Sequence, residues 1–443
     1  MTAAMPVPWS ALLPEVRFAV TGPAGDALPA APAPSSAAGA ALVREALRAA
    51  DVLDELLQDA AAEAGELLVV VNDDQRPTAT APVLAELCAR ADEVGADGLR
   101  LRLLVACGTH APGAAARQAH EARVAGALAR QRRLAGVAWH DARAEGRLRG
   151  VGTWRLHELV AAAPQVVGVG SIEPHYFAGS TGAHKTLTVG VASFDDVERN
   201  HRAALSADAA PLRFAGNPVH EGIAAAVEAL GRGRRVLAVN EVVCGGALQA
   251  CLVGAPLEAL RAGLPVVERL WARRAEQPLD VVVARVAPPL DRDLYQADKG
   301  IKNVEAAVRA GGVLVLEAAC SAGEGPDQFL RLLEEAPTHA AALAVLEARG
   351  YRLGDHKAVR LRALTDPAVR GVRVAVLAEA EAGAAAARRA GLAAFTDAEA
   401  AAAWVRDALG ASAPGSGAWR GAVVEDAGHT VLASPAGRAG AAS

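Results

Sequence analysis

Lysine is nearly missing from this chain. Of 45 lysines and arginines in 443 residues only four are lysine: Lys185, Lys299, Lys302 and Lys357. Arginine offers a flat, permanently charged fork, whereas lysine can lose its proton and act as an amine nucleophile. A chain that uses arginine almost everywhere marks Lys185 as a candidate for covalent attachment or acid–base chemistry. The plainer alternative is a surface or phosphate-pairing cation.

Other absences exclude whole classes of function. Five cysteines (Cys88, Cys107, Cys244, Cys251 and Cys320) are dispersed with no C-x-x-C pair, a pattern of reduced thiols and not of a disulfide framework. No charge of one sign dominates: a net charge of −5 leaves no electrostatic footprint for nucleic acid or an anionic membrane. The cluster Arg130, Arg132 and Arg133 is short and reads as one face of a helix. Long apolar runs are absent as well. The most apolar window, 242–257, is interrupted by Gly245, Gly246, Gln249 and Gly254 and is too short to cross a bilayer. The first residues lack a basic stretch followed by an apolar core, which argues against a signal peptide. The expectation is a cytoplasmic protein with no nucleic-acid and no membrane partner. No H-E-x-x-H pair occurs, which weakens a zinc-hydrolase reading.

What is present is an alternation of patterns over a length sufficient for two or three domains. Residues 16–20 are a strand candidate, and 40–64 carry a helical stripe that includes Leu42, Leu47, Leu53, Leu56 and Leu57. Apolar strand-like runs at 67–71, 101–106 and 166–170 alternate with helical patterns at 81–93, 113–134 and around 154–163. A second set follows, with strands at 236–239, 281–286, 312–316 and 372–377 and helices at 304–310, 327–335 and 341–348. The prediction is an α/β protein of two domains, each a largely parallel sheet flanked by helices, with the active site between them. The interruption RRAEQPLD at 273–280 divides a cofactor-binding catalytic domain, 1–277, from a C-terminal α/β domain, 278–443. The Gly/Ser/Ala-rich tail after Ala411 is expected to be peripheral.

Polar motifs follow three of the predicted strands: DDQRPT at 73–78, GTHAP at 108–112 and SIEPHYFAGSTGAHK at 171–185. Open parallel sheets bind ligands beyond the carboxyl ends of their strands. The three clusters are therefore expected to share one rim. A single histidine is more often structural than functional, but His110, His175, His184 and His201 all fall in or beside these clusters. Their convergence adds weight to a shared chemical role. The run 179–186 approaches a P-loop, yet His184 stands where the second glycine belongs, and residues 171–178 separate it from its strand. A fourth cluster, DLYQADKGIKN at 293–303, holds two of the lysines and one of three tyrosines.

Taken together, DDQRPT (73–78), GTH (108–110), HDA (140–142), PHYFAGSTGAHK (174–185), NH (200–201) and YQADKG (295–300) resemble the nickel-pincer-nucleotide-dependent lactate racemase family. The resemblance implies a racemase or epimerase of a 2-hydroxy acid working by proton-coupled hydride transfer. It implies that Lys185 covalently holds the nickel-pincer nucleotide, a Ni(II)-pyridinium-3,5-bisthiocarboxylic acid mononucleotide. His201 would be the metal ligand and His110 and His175 the acid–base pair. Asp73, Asp74, Gln75 and Arg76 would contact cofactor, with Arg76, Gln296 and Lys299 contacting substrate. Enzymes of cofactor synthesis would be partners. Ala111 stands where the family usually has arginine, and Gly182-Ala183-His184 replaces its usual Gly-Gly-Arg or Gly-Gly-Ala, so a larger 2-hydroxy acid or sugar acid fits as well as lactate. Two alternatives stay open: a non-catalytic cofactor carrier or maturation protein, and an atypical phosphate-binding NTPase.

Overall fold

The computed structural model describes residues 7–23, 33, 35–74, 76, 78–323, 325–410 and 418–435. These divide into two compact units: one from 24–204 and 208–270, the other from 1–23, 205–207 and 271–443. Each is built on a largely parallel six-stranded sheet flanked by helices, as the alternation predicts.

In the first unit the strand order is Ala247–Gly254, Arg235–Cys244, Gln165–Ser171, Glu66–Asn72, Arg100–Ala106, Leu134–Trp139. All neighbours run parallel except the first pair. Gln165–Ser171 is buried along its whole length and Glu66–Asn72 through its five central residues. Helices cover both faces, so these strands read as continuous apolar runs and not as alternations. Leu67, Val69 and Val71 face one side with Leu101, Leu103 and Val105, packing against Leu47, Leu53, Leu56, Leu84 and Leu87 of the covering helices.

Two helical expectations are corrected here. The pattern at 40–64 is two helices, Ala37–Arg48 and Asp51–Glu63. Ala50 leaves helical geometry (φ −110°, ψ 83°), and Asp51 and Asp54 place negative charge at the new amino end. The apolar stripe continues across the break, which is why periodicity alone misses it. Around 154–163, Trp154–His157 pairs antiparallel with Leu148–Val151 through a turn whose Gly152 has φ 58°, and only Glu158–Ala162 is helical.

In the second unit the order is Val16–Thr21, Trp419–Val424, Leu279–Arg285, Val308–Glu317, Arg373–Leu377, Ala393–Phe395, all parallel. The strand at the amino end thus joins the sheet expected to be formed by 278–443 alone. The tail is not peripheral either: Trp419–Val424 sits between two strands with its last four residues buried. Its short Ala-Val-Val core is submerged in small-residue composition. The helix expected at 304–310 is displaced to Leu294–Val304, because Asp293 caps it by accepting from Gln296 N at 2.8 Å. Residues 308–317 are strand, with a register shift between Leu279↔Val308 and Val281↔Val313 that takes up the extra residues around Gly311.

Deleting 419–443 removes the neighbour of Val16–Thr21 and opens an edge on Leu279–Arg285. The truncated chain is expected to lose the cooperative melting transition of the full chain, measured by circular dichroism.

Candidate functional site

The carboxyl ends of three adjacent strands, Glu66–Asn72, Arg100–Ala106 and Gln165–Ser171, open onto a cavity of about 150 Å³. Asp73, Arg76, His110, His175, Lys185 and His201 all line it. Six of the ten residues singled out from sequence therefore converge. Asp74 is exposed and is not among the lining residues, and Gln75 lies outside the described residues. Gln296 and Lys299 belong to the other unit, three positions apart on the helix Leu294–Val304 and so on one face of it.

Lys185 sits on the one-turn helix Ala183–Thr186, which rests on the strand Gln165–Ser171. A side chain at Gly170 would put its Cβ 2.6 Å from Ala183 N, and one at Gly168 would put it 2.6 Å from Leu187 Cγ. Glycine at these two positions is what lets the helix lie on the strand. Ala183 N donates to Asn240 Oδ1 at 2.8 Å, tying the helix start to the neighbouring strand. Lys185 Nζ lies 5.8 Å from the centre of the Phe177 ring.

The histidines occupy different surroundings. His110 Nδ1 is 2.9 Å from Asp73 Oδ2, a buried carboxylate. His175 stacks on Tyr176 at 5.1 Å and meets Phe177 edge-on at 4.5 Å, while its Nδ1 accepts from Ala178 N at 3.3 Å. His201, near the end of the helix Phe194–Arg202, packs edge-on against Phe177 at 4.9 Å. Burial, and after it the Lys185 charge, lowers its imidazole to about 3, so the ring is neutral across the physiological range. His184 points away from this group; it is fully buried, faces His220 at 5.8 Å, and burial drives its protonation well below the ordinary range. The HDA motif holds the His201 helix in place: His140 Nε2 bonds Ala192 O at 2.9 Å and Ala142 O accepts from Phe194 N at 2.8 Å.

Sequence reasoning missed the residues that hold these groups in place. Thr186 Oγ1 donates to Asn72 Oδ1 at 2.8 Å, and Asn72 Nδ2 donates to Thr78 Oγ1 at 2.8 Å. Thr78 in turn contacts Ser171 Oγ at 3.4 Å. This chain of bonds links the Lys185 helix to the segment carrying Asp73 and Arg76. Arg76 Nη1 also lies 4.0 Å from Glu173 Oε2. The available signal was polar residues ending or interrupting buried strands: Asn72, and the pair Asn240-Glu241 inside a strand that runs to Cys244 and not to 239.

Two of the other lysines lie buried away from the cavity. Lys302 is buried and pairs with Glu305 at 3.1 Å. Lys357 is buried 3.7 Å from Asp298, bonds Tyr295 O and lies 4.0 Å over the Tyr295 ring; burial lowers it to about 8. Both are cations of the second unit's interior.

Residues 24–211 match the family model of the lactate racemase N-terminal domain, and 275–351 that of the lactate racemase C-terminal domain. A lactate racemase from Thermoanaerobacterium thermosaccharolyticum is 25% identical over 309 residues, 66% of this chain and 69% of that protein. Another, from Lactiplantibacillus plantarum, is 25% identical over 287 residues, 63% of this chain and 66% of that protein, just under two thirds of its length. The solved structure of the lactate racemase apoprotein from Thermoanaerobacterium thermosaccharolyticum superposes with a TM-score of 0.80 at 18% identity, covering 97% of this chain and 96% of that one. A Thermotoga maritima protein does so with a TM-score of 0.63 at 16% identity, covering 86% and 97%. At these identities the two structures share the fold.

Gly170→Ala is expected to push the Lys185 helix off its strand, costing about 1–3 kcal/mol of stability as an overpacked core does. Urea unfolding of the variant beside the wild-type chain measures this; an unchanged midpoint would show that the contact tolerates a methyl group.

Proposed function

The chain belongs to the lactate racemase family of isomerases, and on that premise we propose that it inverts the stereocentre of a 2-hydroxy acid by moving hydride off and back. In this reading Lys185 carries the nickel-pincer nucleotide and His201 is the protein's ligand to the nickel. The observation that supports it most is the convergence of Lys185, His201, His110, His175, Asp73 and Arg76 on one cavity.

The donor set fits such a group. Among the described residues no three His, Cys, Asp or Glu side chains gather as a metal site of their own. The cavity instead offers the buried, neutral His201 imidazole and the Lys185 amine among its lining side chains. A nickel ion there would take its other donors from the cofactor, and soft sulfur with imidazole suits Ni(II). When bound, the cofactor supplies a ring able to accept hydride and return it. Asp73, Asp74, Gln75 and Arg76 are assigned to contact with its nucleotide, and enzymes of cofactor synthesis to its supply.

The rest of the chemistry falls to side chains. The C–H of a 2-hydroxy acid is a very weak acid beside a carboxylate, so it departs more readily as hydride once a base takes the hydroxyl proton. His110 Nδ1–H donates to Asp73, which leaves Nε2 with its lone pair as that base. His175 accepts from Ala178 N through Nδ1, which places its proton on Nε2 and makes it the donor. These tautomers are assigned from the bonding partners. When hydride returns to the other face of the planar 2-keto acid, His175 gives a proton to the oxygen and is recharged from solvent, to which His110 releases the proton it took, so the pair is restored after each turnover. Arg76 grips the carboxylate with two parallel donors. A mere carrier has no use for a base and an acid at opposite tautomers, and the single-turn helix after Gly182 gives an NTPase little to work with.

His110→Ala and His175→Ala are each expected to slow racemisation by about 10²–10⁴-fold, read by chiral chromatography of a 2-hydroxy acid panel. Lys185→Arg keeps the charge and removes the amine. In protein coexpressed with cofactor-synthesis enzymes, wild type should carry added mass at Lys185 and the variant none; racemisation by the unmodified variant would defeat the assignment.

A further inference from the structure

Glu241 lies in the middle of the strand Arg235–Cys244 and is fully buried. It pairs in register with Ser171 on one side and Cys251 on the other. Its Oε2 accepts from Ala79 N at 2.7 Å, while Oε1 has no hydrogen-bond partner among the described residues. A carboxyl held in an apolar sheet by one backbone N–H is costly, and it is not explained by packing. Ala79 is where the segment carrying Asp73 and Arg76 ends and the helix Thr80–Glu93 begins. The same segment is also held by the Asn72–Thr78 bond and by Asp73 on His110.

We propose that Glu241 is a positioning residue: its ionised carboxylate latches Ala79 and thereby sets where Asp73 and Arg76 stand in the Lys185 cavity. The inference rests on the functional reading above for its consequence to catalysis, but the latch itself does not require a bound cofactor. Burial pushes Glu241 up to about 7, and the Ala79 N–H pulls in the opposite direction. By linkage, a bond that favours the ionised form is itself tighter to the ionised form. Of the groups beside Glu241, the Cys251 thiol is pushed far upward by burial and stays neutral, and Ser171 carries no charge. The charged side chains of the latched segment are Asp73, Asp74 and Arg76.

The sign of the effect separates this role from a general effect on stability. The folded chain keeps a proton on Glu241 that the unfolded chain releases between the ordinary carboxyl value and about 7. This group therefore makes folding less favourable as pH rises through that window, whereas the latch becomes tighter. Protection that merely followed global stability would fall where the latch predicts a rise.

The test is amide hydrogen exchange at Ala79 in the full-length protein without cofactor, at pH 6 and pH 8, corrected for intrinsic rates. Wild type should be about tenfold better protected at pH 8 than at pH 6, the scale of one charge-assisted bond. Glu241→Gln, of the same shape, should show lower protection with no pH dependence. In cofactor-loaded enzyme the same variant should raise KM for the 2-hydroxy acid about tenfold, because Arg76 is displaced, and also lower kcat, because Asp73 no longer holds His110 in place. Equal pH dependence in variant and wild type, or none in wild type, would overturn the latch. Exchange as predicted in a chain that racemises no 2-hydroxy acid would leave the latch standing and refute the functional reading instead.

Discussion

A one-turn helix presses on the backbone of Gly170, and the Leu187 side chain just after it on Gly168, with no room for a methyl group at either, and Lys185 takes its position from those contacts. The strand beneath is buried along its full length, so it cannot yield. Asn240 holds the start of the helix, and Thr186 passes the constraint to Asn72 at the end of the next strand. From there Thr78 and Ala79 are fixed, and with them the segment that carries Asp73 and Arg76. A flexible amine is thus delivered to one place by a rigid floor. Catalytic geometry needs its reacting groups held at about 3–3.5 Å from their targets, a tolerance that loops alone seldom meet.

Two histidines of the cavity have different hydrogen-bond partners. Asp73 orients His110 from one side, and the Ala178 N–H orients His175 from the other. Burial, and after it the Lys185 charge, hold His201 neutral. Differences in surroundings, and not in residue type, set the three imidazoles apart, and the proposed division into base, acid and ligand rests on them.

Much of this is written in the order of residues. Buried parallel strands announce themselves as runs such as Leu-Leu-Val-Val-Val, and the polar stretches after them fall on one rim because the strands are parallel neighbours. The short-range motifs around His110, His175 and Lys185 are legible for the same reason. What stays hidden depends on contacts distant in sequence. Trp419–Val424 becomes an interior strand only because Val16–Thr21 and Leu279–Arg285 flank it. The break at Ala50 leaves the apolar stripe intact. Asn240 and Glu241 look like a strand end until the antiparallel partner Ala247–Gly254 extends the strand past them. Scarcity of lysine singles out Lys185, which lines the cavity, yet Lys302 and Lys357 show that a rare residue also serves as a buried counter-ion.

The central claim is that hydrogen leaves the stereocentre as hydride and comes back to the same molecule. The most direct measurement uses a 2-hydroxy acid deuterated at that carbon, turned over to equilibrium by cofactor-loaded enzyme in ordinary water. The account predicts that both enantiomers retain the deuterium. Its loss to solvent in step with racemisation would mean direct proton abstraction and would contradict the account.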